Sequence, residues 1–296
     1  MRTLHHREFC AASLAEAKAG RLVSLCLPAR NEAATVGPIV ERAQAALVGG
    51  AGLVDEILVL DDHSTDDTAA VARAAGARVV AAADVLSAYG TGHGKGEALW
   101  KSLYAAHGDL VVWCDADVVD FAPHFVVGLL GPLLSGTTVD FVKGCYERPG
   151  GDGRGGSTGG RVTELLARPL LSLLFPRLAS LRQPLAGEYA GRRELLEQLP
   201  FVEGYGVDIG LLIDVAARVG AGAIAEVDLG VRVHRNRPLH ELAPQAREIL
   251  AVAIGRAGQH MPGGTVQAGR GLGPTVGAVA QRPALVTVPS YRRRSA

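Results

Sequence analysis

The sequence predicts an α/β fold, a doubly wound, mostly parallel and Rossmann-like central sheet flanked by helices. Three observations lead there. Short apolar runs alternate with longer stretches of helical period, and three or four such strand-helix units fall within about a hundred residues of the N-terminal half. The run Leu110 to Cys114 is apolar throughout and too short for a helix, as a strand of a parallel sheet buried on both faces would be. Right-handed crossovers between them would bring their loops to one sheet edge.

Taken in order, residues 11–19, Ala-rich with Glu16 and Lys18, read as a short helix ended by Gly20. Leu22 to Leu27 is the first strand, closed by Pro28, and Ala29 to Glu32 form the loop into a helix starting near Thr35. The unit then repeats. Glu56 to Leu60 is a strand, Asp61 to Ser64 a loop, and Thr65 to Thr68 opens a helix that Gly76 ends. Ala77 to Ala81 is the third strand; Gly94 to Glu97 opens an amphipathic helix through Ala106, which leads into the run Leu110 to Cys114.

The second half is less regular. Val139 to Lys143 reads as a strand, Arg161 to Leu174 and Asp208 to Val219 as helices, and Ala223 to Leu229 with Val231 to His234 as strands. Leu239 to Arg256 is helical, although Pro244 limits where it can start. Gly150 to Gly160 holds seven glycines in eleven residues, too flexible to order itself. From Pro262 onward Gly, Pro and basic residues dominate. The expected layout is a helical extension over 1–20, one α/β domain over 21–260 with halves 21–120 and 121–260, and a disordered tail over 261–296.

Lys plus Arg equals Asp plus Glu at 30 each, so nothing in the overall charge points to nucleic acid or an anionic membrane, and any anion site must be local. No apolar run reaches membrane-spanning length. Cys10, Cys26, Cys114 and Cys145 are widely spaced, which fits free thiols in a reducing compartment and a cytoplasmic protein.

Chemistry concentrates where the run Leu110 to Cys114 ends in Asp115 and Asp117. The C-terminal edge of a parallel sheet is where such folds bind ligands. Two carboxylates one residue apart can share Mg²⁺ or Mn²⁺, hard cations that also bridge phosphate oxygens. An isolated Asp-x-Asp is more often a pair of solvated turn formers, so its neighbours decide. Three look-alikes fail: Lys95 is followed by Gly96 rather than the Ser or Thr of a P-loop, Pro28 to Glu32 stand where a dinucleotide fingerprint would need glycines, and the Asp-x-Asp follows the wrong strand for an aspartyl-phosphate enzyme. What remains is complementary. Asn31, Glu32, Asp61 and Asp62 could read a uracil and a ribose, Lys95 could meet phosphate, and Asp115 with Asp117 could hold a metal on a diphosphate.

The same residues carry a resemblance. Leu27 to Glu32, Leu60 to Thr68 and the Asp-x-Asp resemble an inverting-type GT-A glycosyltransferase scaffold. Longer runs, Gly94 to Trp100, Gly159 to Leu165 with Arg168 to Leu171, Gln183 to Tyr189, Gly204 to Val207 and Val233 to Leu239, resemble the actinobacterial glucosyl-3-phosphoglycerate synthase family across residues 14–258. That resemblance implies a GT-A fold and retaining transfer of glucose from UDP-glucose to the 2-hydroxyl of 3-phospho-D-glycerate, with a homodimer common in the family. It assigns Pro28, Ala29, Arg30, Asn31, Glu32, Asp61, Asp62, Lys95, Asp115 and Ala116 to the nucleotide sugar, and Tyr205, Gly206, Val207 and Asp208 to its sugar. Asp117 and His234, with Asp115, would ligate the metal; Gly160, Arg161, Val162, Thr163, Arg232, Arg235 and Asn236 would hold the phosphoglycerate. Lys95, Asp117 and Asp208 are the expected catalytic residues. Exposed amides at the start of the Arg161 helix suit an anion independently of the resemblance.

Two departures bear on the chemistry. Asp208 stands where the family pattern has Glu, one methylene longer, and Asp61-Asp62-His63-Ser64 replaces Asp-Ser-Gly-Ser beside the expected uracil. A hexosyltransferase using another nucleotide sugar such as GDP-mannose, or another phosphorylated or carboxylated acceptor, is the alternative reading; a silent nucleotide-sugar binder is a third.

Overall fold

Arg2–His5 forms a first strand, β1, ahead of helix α1 (Ala11–Ala17). The predicted alternation follows: β2 (Val23–Ala29), α2 (Val36–Ala43), β3 (Glu56–Asp61), α3 (Thr68–Ala74), β4 (Arg78–Ala81), α4 (Lys95–Ala105), β5 (Leu110–Trp113) and α5 (Pro123–Leu134). The second half holds β6 (Phe141–Glu147), α6 (Arg168–Leu174), β7 (Tyr189–Arg192), α7 (Arg193–Leu196), β8 (Phe201–Val202), α8 (Val207–Val219), β9 (Ile224–Val231), α9 (Leu239–His260) and β10 (Gln281–Arg282). A wide π-turn over Thr163–Ala167 leads directly into α6, so the helix begun at Arg161 is continuous with it. The structure, a computed structural model, describes residues 1–92, 94–147, 160–232, 239–260 and 279–291, apart from the side chains of 239, 241 and 260. The glycine-rich stretch through Gly159, and His234, Arg235 and Asn236, lie outside the described residues.

Eight strands form one sheet in the order β1-β9-β6-β7-β5-β2-β3-β4, in which only β7 runs antiparallel to its neighbours. Alternate residues of each central strand feed opposite cores. Val23, Leu25 and Leu27 of β2 join Leu110 and Val112 of β5 on the side covered by α2 and α5; Cys26, Val111 and Trp113 face α4, α8 and α9. The result is three layers, helix, sheet and helix, and central strands that are largely apolar because both faces are covered.

Several expectations need correction. The segment ahead of residue 20 is not only helical: β1 extends the sheet by pairing in parallel with β9, Leu4 opposite Val227. Pro28 does not close β2, which runs on to Ala29; beyond Cys26 its pairing is with β3, and a residue without an N–H is tolerated there. Val231 belongs to one continuous strand with Ile224 rather than to a second. Residues 279–291, expected to be disordered, instead pack onto the domain, with Leu285 and Val288 fully buried and β10 paired with β8. Among the described residues no helix is long and apolar enough to cross a membrane.

Candidate active site

The chain leaves β2 for β3 and β4 on one side, then returns to place β5 on the other. The C-terminal ends of β2 and β5 therefore flank a topological switch point, where ligands of such sheets bind. Pro28 to Glu32 lie on one lip and Asp115 to Asp117 on the other, and the Thr35 hydroxyl donates to the carbonyl of Ala116 at 2.7 Å across the gap. Because β7 is antiparallel, its entry rather than its exit lies at this edge. That reversal brings Gly187 and Glu188 beside Asp115. A Cβ on Gly187 would stand 1.9 Å from the Asp115 carboxylate, so only glycine fits.

A chain of alternating charges runs through the cleft. Lys95, in the first turn of α4, lies 2.9 Å from Asp115 Oδ1 and 3.2 Å from Asp208 Oδ2. Burial opposes its charge, yet the two carboxylates outweigh burial and hold the ammonium well above the usual lysine range. Asp208, at the start of α8, also faces Lys143, whose Nζ is 3.9 Å from Oδ1. Lys143 is fully buried on β6, donates to the Ala186 carbonyl at 2.6 Å and stands 4.1 Å from the centre of the Tyr189 ring. Burial lowers its pKa to about 8 against the pull of Asp208.

On the other flank Arg232, fully buried just past β9, pairs with Glu188 at 2.5 Å and donates to the Tyr146 hydroxyl at 3.0 Å. Its Nη2 lies 3.8 Å from Asp115 and 3.6 Å from Asp117. Glu188 has no exposed surface, and burial pushes its pKa up to about 7 despite the guanidinium. Asp117 keeps 43% of its side chain exposed, so the outermost carboxylate of the cluster opens to the cleft. Two carboxylates gathered around one cationic group have the oxygen chemistry that a hard divalent ion requires. Among the described residues no group of three or more His, Cys, Asp or Glu could hold an ion by itself.

The loops after β2 and β3 are knitted together. Asn31, at φ +57°, accepts from the Thr65 amide at 2.8 Å, while its own amide donates to the Ser64 hydroxyl at 3.0 Å. The Glu32 amide donates to Thr68 at 2.8 Å, and Ala33 to Asp66 at 3.2 Å. Thus Asn31 positions the loop as well as bordering the cleft. Asp61 accepts from the Ser64 amide at 3.3 Å. Asp62, nearly buried, accepts from the Gly94 amide at 3.1 Å and contacts His63 at 2.9 Å, which ties the loop after β3 to the start of α4. Arg30 is exposed. Tyr205 and Gly206 lie in the single turn Gly204–Gly206 that enters α8 at Val207, with Tyr205 40% exposed and the Tyr205 amide held by Glu248 at 2.7 Å. Gly160 to Thr163 open the α6 helical stretch, with Arg161 exposed and Thr163 buried.

The structure thus brings Lys95, Asp115, Asp117, Asp208 and Arg232 into one cluster, with Arg232 against the two aspartates. Lys143, Glu188 and Tyr146 were missed as site residues. A lysine inside an apolar strand and a glutamate after Pro184-Leu185-Ala186-Gly187 were the available signals, since charge in a buried element needs a partner.

An α/β scaffold with paired aspartates and a lysine at its switch point defines a nucleotide-sugar transferase class. The profile of glycosyl transferase family 2 matches residues 24–199. Glucosyl-3-phosphoglycerate synthase of Mycolicibacterium paratuberculosis is 52% identical over 252 residues, covering 83% of this chain and 76% of the relative. A crystal structure of glucosyl-3-phosphoglycerate synthase from Mycobacterium tuberculosis in complex with Mn²⁺, UDP-glucose and phosphoglyceric acid superposes with a TM-score of 0.83 at 46% identity, covering 97% of this chain and 98% of that one. Mannosyl-3-phosphoglycerate synthase from Rubrobacter xylanophilus superposes at a TM-score of 0.89 with 39% identity, covering 97% of each chain. The chain belongs to glycosyl transferase family 2 and, within it, to the glucosyl-3-phosphoglycerate synthase family.

Proposed function

We propose that this chain is a metal-dependent, retaining glucosyltransferase that moves glucose from UDP-glucose to the 2-hydroxyl of 3-phospho-D-glycerate. The observation that carries the reading is the continuous cluster of Lys95, Asp115, Asp117 and Asp208 at the switch point, in a chain so similar to a synthase solved with Mn²⁺, UDP-glucose and phosphoglyceric acid. Asp117, with Asp115 and His234, would hold Mg²⁺ or Mn²⁺, which when bound would supply Lewis-acid neutralisation of the diphosphate's charge.

The chain's own residues do the rest. Lys95 carries a permanent charge next to Asp115 and offsets the negative charge that develops on the leaving group. Asp208 is held from both sides by lysines, which suits a carboxylate that orients sugar hydroxyls and not one that attacks carbon. With no residue acting as nucleophile, the acceptor enters from the face the diphosphate leaves, and a phosphate oxygen of the leaving group takes its proton. Arg161, Thr163 and the amides of their helix start bind the anionic acceptor; Arg235 and Asn236, which the family resemblance also assigns to it, lie outside the described residues. Arg232 acts through Asp115 and Asp117.

The protein works in the cytoplasm, in keeping with the free thiols of Cys26, Cys114 and Cys145, and as a homodimer whose state light scattering would measure. A donor and acceptor screen read by mass spectrometry tests the reaction. UDP-glucose with 3-phosphoglycerate and Mn²⁺ should give glucosyl-3-phosphoglycerate. Preference for GDP-mannose would move the reading to the mannosyl relative, and release of free glucose or phosphate alone would defeat it.

A further inference from the structure

The C-terminal segment 279–291 meets the domain at a place that matters for the donor. β10 pairs antiparallel with β8, Gln281 opposite Val202 and Arg282 opposite Phe201, and the Glu203 amide donates to the Ala280 carbonyl at 2.9 Å. Arg282 then reaches inward. Its guanidinium bonds Glu97, a fully buried carboxylate in the first turn of α4, and donates to the Tyr89 carbonyl at 2.6 Å. It also lies 3.4 Å from Glu203 and 5.7 Å from the centre of the Trp100 ring, whose indole N–H donates to the Pro283 carbonyl at 2.8 Å. The other Glu97 oxygen pairs with buried Lys101 at 2.9 Å.

Each segment that Arg282 touches leads into the cleft. Glu97 lies two residues beyond Lys95 on the same helical turn. Glu203 precedes the Gly204 to Gly206 turn that delivers Asp208. Tyr89 begins the loop whose far end, Gly94, is held by Asp62. These segments press together closely: a Cβ on Gly96 would stand 1.7 Å from the Val202 carbonyl oxygen, and one on Gly92 2.3 Å from the Arg282 guanidinium. A buried carboxylate with a forked cation is rigid, because two or more charge-assisted bonds fix both partners.

We propose that Arg282 is a positioning residue of the donor site: the C-terminal strap acts through Glu97 and Glu203 to fix the start of α4, and with it Lys95, against the turn that carries Asp208. The proposal rests on the donor-site reading above. Without the guanidinium, the α4 start and the 203–206 turn lose their common anchor, and the Lys95 to Asp208 spacing relaxes. Affinity for the nucleotide sugar falls while the acceptor pocket at Arg161, on another helix, is untouched.

The test compares two changes in the same strap on the full chain. Arg282→Met keeps the unbranched stem as far as the ε position and removes the charged fork. Tyr291→Phe removes the 2.6 Å bond from the Tyr291 hydroxyl to Glu197, far from the cleft side of the strap. Calorimetric titration with UDP and Mn²⁺, the KM values for UDP-glucose and 3-phosphoglycerate, and the Tm are measured for each. Arg282→Met should weaken UDP binding and raise the UDP-glucose KM by about tenfold, with the 3-phosphoglycerate KM within about twofold, while Tyr291→Phe lowers Tm with UDP affinity kept. Arg282→Lys, which retains charge without the fork, should fall between, and serves in place of Arg282→Met should that variant not fold. Equal UDP affinity in the Arg282 variants and Tyr291→Phe would overturn the proposal, leaving the strap a stabiliser only. Failure of the unaltered protein to bind UDP would instead overturn the donor-site reading.

Discussion

Replacing Lys143 by Met separates what the site needs from what the fold needs. Lys143 is fully buried, and its pKa, lowered by burial to about 8 from 10.5, means that carrying a proton at neutral pH costs the folded state about 3 kcal/mol, at ~1.4 kcal/mol per pH unit. Met fills similar space without charge and recovers that cost. The lost bond to the Ala186 carbonyl takes back about 1–3 kcal/mol. The variant should therefore be as stable as the parent or up to about 2 kcal/mol more stable at pH 7.

Activity should move the other way. At 3.9 Å and an effective dielectric of about 20, Lys143 and Asp208 attract by about 4 kcal/mol, and losing a third of that from the orientation of Asp208 would slow turnover about tenfold. The sign of the pH dependence follows from the same shift. Between about 8 and 10.5 the unfolded chain holds a proton on this lysine that the folded chain has released, so parent stability gains from Lys143 as pH rises through that window. Urea unfolding of both proteins at pH 7 and pH 9.5 should show the stability advantage of Lys143→Met shrinking by about 2 kcal/mol at the higher pH. A difference independent of pH, or a variant much less stable than the parent at pH 7 with unchanged turnover, would refute the reasoning.

Other expectations follow from neighbouring contacts. Gly187→Ala should push aside the Asp115 carboxylate and abolish tight UDP and Mn²⁺ binding in calorimetry, whereas Gly222→Ala, which meets nothing within 4 Å, should leave both binding and Tm unchanged. Glu188, with its pKa raised to about 7 from 4.5, makes the folded state hold a proton the unfolded state has lost, so its contribution to stability falls as pH rises from about 4.5 to about 7. Glu188→Gln should flatten that part of the stability profile in urea melts at pH 5 and pH 7.5, and parallel profiles would speak against the assignment. Asp117→Ala should abolish turnover that Mn²⁺ restores to the chelator-treated parent, while Asp208→Asn should retain a measurable part; the opposite ranking in steady-state assays would reverse the two roles.

The sequence showed the sheet and the lip of the cleft because both obey local rules. Apolar runs such as Leu110 to Trp113 report strands buried on two faces, and Asp115 follows directly from one. The antiparallel β7 left no such mark: Tyr189–Arg192 is four residues long, and only its long-range register, Trp113 opposite Tyr189 and Lys143 opposite Tyr189, reveals it. That register is what places Glu188 and Lys143 in the cleft, so both escaped a reading along the chain. The docking of 279–291 was hidden for a similar reason. Arg282 sits among Gly, Pro and basic residues that look unstructured locally, and its partner Glu97 is 185 positions away. Asn31 shows the converse, a residue identified from its motif whose side chain turns out to bond the neighbouring loop through Thr65.

The central claim is that glucose passes between UDP and 3-phosphoglycerate on one face of the sugar, with Asp208 held by its lysines and no enzyme nucleophile. The most direct test is the anomeric configuration of the product formed from UDP-α-glucose, read by proton NMR before any chemical scrambling. An α-linked glucosyl group on the 2-hydroxyl of 3-phosphoglycerate is the predicted result. A β-linked product would contradict the account.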